Sequence, residues 1–253
     1  MLVATDVRVT FGGVVAVDDL SIEVEPGVVL AVVGPNGSGK TTLLNAITGL
    51  VPCRGRVTVD GTVLATGRPG RARQAHCLRT FQTPQVIDEL SCIDNVLLAT
   101  EDREATGLLA SWVTRRQMLA REHRRWAAAE ACLEQFGLRE QAVLPASRLT
   151  YGQRRWLELA RVALARPRYL LTDEPSAGLN EAETVRLAEH IAAFRAAGVG
   201  VVLVDHKVDF LRRVADRAVV LALGRKVAED RIEAIWDLPA VQDAYLGTRR
   251  VIR

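Results

Sequence analysis

Gly34-Pro35-Asn36-Gly37-Ser38-Gly39-Lys40-Thr41-Thr42 decides the architecture of this chain. The segment fits G-x-x-x-x-G-K-[ST], with Gly34, Gly39, Lys40 and Thr41 at the fixed positions. Residues 28 to 33, just before it, read VVLAVV, the composition of a central parallel strand buried on both faces. A helix is predicted to begin near Lys40. Strand, glycine-rich turn and helix in that order form a phosphate loop. Glycines let successive backbone N–H groups converge on phosphate oxygens, and the helix adds its positive end. Lys40 would then reach the β and γ phosphates and Thr41 would offer a hydroxyl to magnesium, so ATP with Mg2+ is the expected ligand pair. A glycine-rich turn with a solvated lysine is the plainer alternative, and the strand before and helix after argue against it.

On the N-terminal side, Val7, Val9 and Phe11 alternate, as do Leu20, Ile22 and Val24, predicting two half-buried strands. Residues 56 to 59 and 62 to 64 form another strand pair, joined by Asp60-Gly61, a strong type I′ hairpin signal. From about residue 93 to Gly137 the pattern turns helical, with Gly137 as a C-terminal stop. After Pro145, strand and helix alternate: a helix over about 153 to 165, a strand at 169 to 173, a helix after Asn180 and a strand at 199 to 205. Alternation of this kind predicts a parallel sheet.

The chain has 253 residues, 49% hydrophobic and 25% charged, which suits a globular protein with a large core and argues against disorder. No apolar run approaches the roughly 18 residues of a membrane span. The opening MLVATDVRVTF has no basic region followed by an apolar one, so a cytoplasmic location is expected. Cys53, Cys77, Cys92 and Cys132 show no metal-ligand spacing and read as free thiols. The formal charge of +3 gives no reason to expect nucleic acid. Arginine supplies nearly all the positive charge, since Lys40, Lys207 and Lys226 are the only lysines. That scarcity makes a lysine inside the glycine-rich loop harder to dismiss.

A phosphate loop needs a second acidic site, because magnesium wants a carboxylate and the attacking water wants a base. Tyr169-Leu-Leu-Thr-Asp173-Glu174 supplies both at a strand end. Asp173 is the expected magnesium partner through its water shell, and Glu174 the general base. In isolation the pair could be an acidic turn cap. Thr172 is unusual in an apolar strand, and its hydroxyl needs a partner if buried.

With these pieces the chain resembles ABC transporter ATPases. The decisive residues are Leu149-Thr150-Tyr151-Gly152-Gln153, shortly before the Asp-Glu strand, where that family carries its L-S-G-G-Q signature. The order of Phe11, phosphate loop, Gln82, signature, Asp173-Glu174, Ser176 to Asn180 and His206 is also the family's, over nearly the whole chain. The resemblance implies an α/β P-loop NTPase core of ABC ATPase type, a parallel sheet plus an antiparallel β-subdomain, with an inserted helical subdomain. Within a single domain of residues 1–253, residues 1–83 and 161–253 would form the nucleotide-binding core. Residues from about 84 to 160 would form the signature-bearing helical part.

The resemblance also assigns roles. Phe11 would stack on adenine, although a core phenylalanine is as good a local reading. Gln82 would contact magnesium and the attacking water. His206 would hold the γ phosphate, the water and Glu174 in register. Thr150, Gly152 and Gln153 would complete the ATP site of another subunit across a head-to-tail dimer, homo- or heteromeric. Tyr151 replaces the first paired glycine, whereas Thr150 preserves the hydroxyl.

Within the family the chain resembles the ATPases of branched-chain amino acid and related hydrophobic amino acid or amide importers. Residues 149 to 161, 173 to 180, Asp94-Asn95 and 244 to 247 carry that likeness, with Asn180 where most members have aspartate. Residues 68–79 and 229–237 match poorly. The resemblance implies a peripheral ATP-hydrolysing subunit on the inner face of the membrane, bound to two multispanning subunits and serving a solute-binding protein. An ATPase of another transport system, such as lipid export, and a soluble nucleic-acid-associated ABC ATPase are the alternatives. The second would call for a coiled-coil insertion, a duplicated cassette or a strongly basic patch. An unrelated P-loop kinase or GTPase has no use for residues 149 to 153. Arg115, Arg116, Arg121, Arg124 and Arg125 could touch acidic lipid or a membrane partner, but interspersed Glu122 and Glu130 favour a solvated helix face.

Overall fold

A computed structural model describes residues 1–64, 66–99 and 115–247. Its strands in chain order are β1 (Leu2–Phe11), β2 (Val14–Val24), β3 (Val29–Val33), β4 (Arg54–Val59), β5 (Thr62–Val63), β6 (Cys77–Arg79), β7 (Tyr169–Asp173), β8 (Gly200–Val204), β9 (Arg217–Ala222) and β10 (Arg225–Arg231). The helices are α1 (Lys40–Ile47), α2 (Pro69–Gln74), α3 (Cys92–Leu97), α4 (Arg115–Gln135), α5 (Tyr151–Leu164), α6 (Glu181–Ala196), α7 (Val208–Val214) and α8 (Pro239–Gly247).

Burial on both faces makes the apolar strands the centre of the larger sheet. Every residue of β3, β7 and β8 is buried, and the order is β10-β9-β3-β8-β7-β6. All neighbours are parallel except β10, which closes the edge antiparallel to β9. A second, antiparallel sheet has the order β2-β1-β4-β5. Its turn between β4 and β5 has Asp60 at φ 50° and Gly61 at φ 80°, the type I′ geometry the sequence predicts. One apolar core joins inward residues of β1 and β2 to Leu43, Leu44 and Ile47 of α1 and to Leu30, Val32, Val202 and Val219 of the parallel sheet. The helix after the phosphate loop is therefore gripped between two sheets, which fixes the loop it carries.

The chain divides into two compact units, Met1–Gln82 with Pro167–Arg253, and Thr83–Arg166. The second is helical. Its core gathers Ile93 and Val96 of α3, Ala129 and Leu133 of α4, and Trp156, Leu157 and Ala160 of α5. Inside it the Arg155 guanidinium, fully buried, pairs with Glu158 at 2.6 Å, and Glu158 also accepts the Gln85 backbone N–H at 3.1 Å. Asn95, also buried, staples the preceding loop: its amide accepts from Ile87 N–H and donates to the carbonyls of Ile87 and Ser91. On α4, Arg121, Arg124, Glu122 and Glu130 are exposed, a solvated face; the side chains of Arg115 and Arg116 lie outside the described residues.

Three features depart from or add to the sequence reading. The alternation of Val7, Val9 and Phe11 does not continue inward: register shifts after Val7 and Val9 leave Phe11 50% exposed, so it is not a core residue. The arginine-rich stretch 68–79 holds a short helix, α2, and the three-residue edge strand β6, too short to show a period. Thr172 is buried within β7, and its hydroxyl reaches only the Val202 carbonyl, at 3.5 Å. Among the described residues all four cysteines are free, and burial pushes the Cys77 thiol up to about 12.

Candidate nucleotide site

The loop begins where β3 ends, and its outer glycines are demanded by the protein's own backbone. A Cβ on Gly34, at φ +149°, would sit 2.1 Å from the Leu221 carbonyl oxygen of β9. One on Gly39, at φ +101°, would sit 2.5 Å from the Ala16 carbonyl oxygen of β2. Gly37, also left-handed, faces open space. The role expected for all three, clearance for phosphate, thus falls to Gly37, while Gly34 and Gly39 let the loop nest against β9 and β2. The nest is tied further by Gly224 N–H donating to the Ser38 carbonyl at 3.1 Å and Asp18 N–H donating to the Gly224 carbonyl at 2.9 Å.

Lys40 is buried, and its ammonium curls back to donate to the carbonyls of Gly34 and Pro35 at 2.8 and 3.0 Å. Burial lowers its pKa, opposed by the charges of Glu174 and then Asp173, so lysine and carboxylates share one field. The Ser38 hydroxyl is buried without a partner among the described residues. Asn36 and Thr41 are exposed, and Pro35 and Thr42 partly so. Phe11 faces Val14 across the end of the β1–β2 hairpin; both are exposed, and Val14 is two residues from Ala16, whose carbonyl lies where a Gly39 Cβ would fall.

Facing Lys40, β7 ends in the carboxylate pair. Thr41 Oγ1 donates to Asp173 Oδ1 at 3.4 Å. Glu174 sits in the left-handed region at φ 48° with its N–H on the Val204 carbonyl at 2.7 Å. Strain of this kind in a non-glycine residue persists only where the surroundings over-determine it. The carboxylate is held at both oxygens, by Gln82 Nε2 at 3.1 Å and by His206 Nε2 at 2.7 Å. Of the three residues assigned to the attacking water, Gln82 and His206 each contact Glu174, and the charges of Glu174 and Asp173 act on Lys40.

Three further residues brace this constellation without having been singled out in the sequence. Asp205, buried, accepts from the backbone N–H of Ser176, His206 and Lys207 and from the Ser176 hydroxyl. Lys207 spans the loop after Glu174, donating to the carbonyls of Ser176 and Leu179 and to Thr184 Oγ1, each at 3.2 Å. Arg79, at the end of β6, donates to Asp173 Oδ2 at 2.9 Å and to Asn45 Oδ1 of α1. Burial lowers the Arg79 guanidinium pKa and the Asp173 charge opposes it. The only signal for Asp205 and Lys207 was adjacency to His206, and Arg79 lay at the end of the arginine-rich stretch 68–79, which matches the family poorly.

In the second unit, Thr150 is the N-cap of α5. Gln153 N–H donates to its hydroxyl at 3.3 Å, and Thr150 N–H donates to Gln153 Oε1 at 2.9 Å, a complete capping box. Gly152 occupies the first turn between them. Asn180 does the same for α6 with Glu183, which explains how asparagine serves where aspartate is commoner.

A family model described as ABC transporter matches residues 17–177. The chain belongs to the ABC transporter family. It is 36% identical over 250 residues to the high-affinity branched-chain amino acid transport ATP-binding protein BraF of Pseudomonas aeruginosa, with 98% of each chain covered. It is 34% identical to the corresponding LivG protein of Escherichia coli strain K12, again over 98% of each. Among solved structures, a nucleotide-free ATP-binding cassette from an ABC transporter superposes with a TM-score of 0.82 at 28% identity, covering 97% of this chain and 98% of that one. A cassette in its ADP conformation gives 0.81 at 28% identity over 98% of each.

The fold is therefore that of an ABC ATPase, and the chain is an ATP hydrolase of this family that binds nucleotide. Its own residues fit that ligand. Among the described residues the loop has an orphaned buried hydroxyl at Ser38, an ammonium satisfied by the loop carbonyls of Gly34 and Pro35, and an open face at Gly37. Among the described residues no group of three or more His, Cys, Asp or Glu could hold a metal unaided. A cation here would draw on the Thr41 hydroxyl, the Asp173 carboxylate and the nucleotide's phosphates. No described helix is long and apolar enough to cross a membrane.

Proposed function

We propose that this chain is the ATP-hydrolysing subunit of an importer for branched-chain or related hydrophobic amino acids. The observation that carries the chemistry is Glu174, held at both oxygens by Gln82 and His206 beside Lys40. The 36% identity to BraF over 98% of each chain supports the solute class.

ATP lies with adenine against exposed Phe11 and its phosphates on the loop from Gly34 through Pro35, Asn36, Gly37, Ser38 and Gly39 to Thr42. Lys40 exchanges the Gly34 and Pro35 carbonyls for β and γ phosphate oxygens, a trade of neutral acceptors for charged ones. Thr41, Gln82 and, through a water shell, Asp173 would hold magnesium, which would supply charge neutralisation at the phosphates. Glu174 takes the proton of the attacking water as oxygen bonds to the γ phosphorus and ADP leaves. His206 keeps the glutamate and the γ phosphate aligned.

A second ATPase subunit contributes Thr150, Gly152 and Gln153. The Thr150–Gln153 box leaves other first-turn N–H groups of α5 to face the γ phosphate, with the helix dipole behind them. Two such cassettes work head to tail beneath two multispanning subunits on the cytoplasmic face of the membrane, fed by a solute-binding protein. Cells lacking the chain should lose uptake of labelled leucine and regain it with the intact gene but not with Glu174→Gln. Uptake that persists at the parental rate would rule out this solute class.

A further inference from the structure

Arg79 is the most deeply placed cation at the site that the mechanism above leaves without a part. Its side chain and that of Asp173 are 5% and 7% exposed, a charge pair nearly withdrawn from water. The guanidinium spends one nitrogen on Asp173 Oδ2, at 2.9 Å, and another on Asn45 Oδ1, while its carbon lies 4.9 Å from the centre of the Phe81 ring. Three pieces of the site meet on this one side chain: α1, which carries Lys40 and Thr41; β7, which ends in Asp173; and the segment leading into Gln82. Asp173 has two oxygens with different neighbours. Oδ2 is taken by Arg79, and Oδ1 faces the Thr41 hydroxyl.

We propose that Arg79 is a positioning residue for the magnesium side of the site, fixing Asp173 so that Oδ1 alone is presented toward Thr41 and the metal. The inference rests on the ATP and magnesium reading above. A planar fork reaches carboxylate and amide from two separate nitrogens in fixed directions with its plane laid against an aromatic ring; an ammonium has a single nitrogen and no plane to stack. Removing the fork frees the Asp173 carboxylate to rotate away from Thr41. The damage falls on magnesium-dependent binding, because among the described residues no contact of Arg79 reaches the loop carbonyls or the exposed Phe11.

The test is the affinity of the full chain for a fluorescent ATP analogue, measured once with excess Mg2+ and once with EDTA. Arg79→Gln should weaken binding about tenfold in magnesium, the size of one lost charge-assisted contact, and change it less than about twofold in EDTA. Arg79→Lys, which keeps the charge without the fork, should lose about threefold in magnesium only, and it carries the same test if Arg79→Gln does not fold. In an Asp173→Asn background, Arg79→Gln should have no further magnesium-specific effect, since its target is gone. Unchanged affinity in magnesium, or equal loss in both buffers, would overturn the inference. Failure of the unsubstituted chain to bind the analogue in either buffer would instead overturn the nucleotide reading itself.

Discussion

Glu174→Gln separates proton transfer from everything else the site does. The replacement has the same length, and the backbone at φ 48° is no more strained for one residue than for the other. Its neighbours stay in reach, Gln82 Nε2 and His206 Nε2 lying 3.1 and 2.7 Å from the carboxylate oxygens, although an amide can accept through only one of its two ends. The basic oxygen is lost. A positioned general base is worth about 10²- to 10⁴-fold in rate, or about 2.7 to 5.4 kcal/mol of barrier. Nucleotide binding moves the other way, if at all. Glu174 supports the Lys40 charge but also faces incoming phosphate, so a neutral side chain removes a repulsion at the γ position. Phosphate release at saturating ATP and magnesium should fall at least about 100-fold, while affinity for the ATP analogue holds or tightens and gel filtration with ATP shows a dimer. Turnover within about threefold of the parent would refute the base assignment. So would loss of ATP binding in a protein with a parental melting curve, because Glu174 would then be a binding residue.

Thr150→Ala removes the hydroxyl that caps α5 and should cost about 1 kcal/mol, read as faster amide exchange in the first turn of that helix, with Thr150→Ser close to parental. Gly34→Ala puts a Cβ where the Leu221 carbonyl already is and should abolish ATP binding and lower the melting temperature. Gly37→Ala meets no atom and should cost only the left-handed backbone, about 1 to 2 kcal/mol, in the same assays. The imidazole of His190, 8% exposed, is pushed down to about 4 by burial and then by the Arg186 charge. The unfolded chain takes up that proton near 6.5, so between pH 6.5 and about 4 it binds more protons than the native state and stability falls as pH falls. Urea titrations across that window should show a shallower decline for His190→Gln.

The sequence was most legible where chemistry and periodicity coincided. The run before Gly34 is a central strand because nothing in it is polar, and Asp60-Gly61 turns a hairpin because both residues tolerate positive φ. The roles of single residues were harder to read. Thr150 and Gln153 look like phosphate ligands by their place in the signature, yet their side chains are engaged with each other's backbone, a reciprocal pairing three residues apart that the sequence T-x-x-Q also encodes. Phe11 could not be assigned from alternation because bulges reset the register of β1. Arg79 was invisible for a different reason. It acts on groups far away in the chain, and a one-dimensional pattern holds no trace of an arginine 94 residues from the carboxylate it contacts.

The seat of the phosphate loop has a consequence for how the protein is made. The strand that leads into the loop lies between β8 and β9, and the loop rests on Leu221 and Gly224, so its neighbours are encoded nearly two hundred residues later. A nascent chain emerging from the ribosome carries the intact motif and β2 early but lacks the β8 and β9 side of the seat. Truncations ending before β9 should keep all of residues 34 to 42 and bind no nucleotide, so during synthesis ATP reaches a formed site only when almost the whole chain is out.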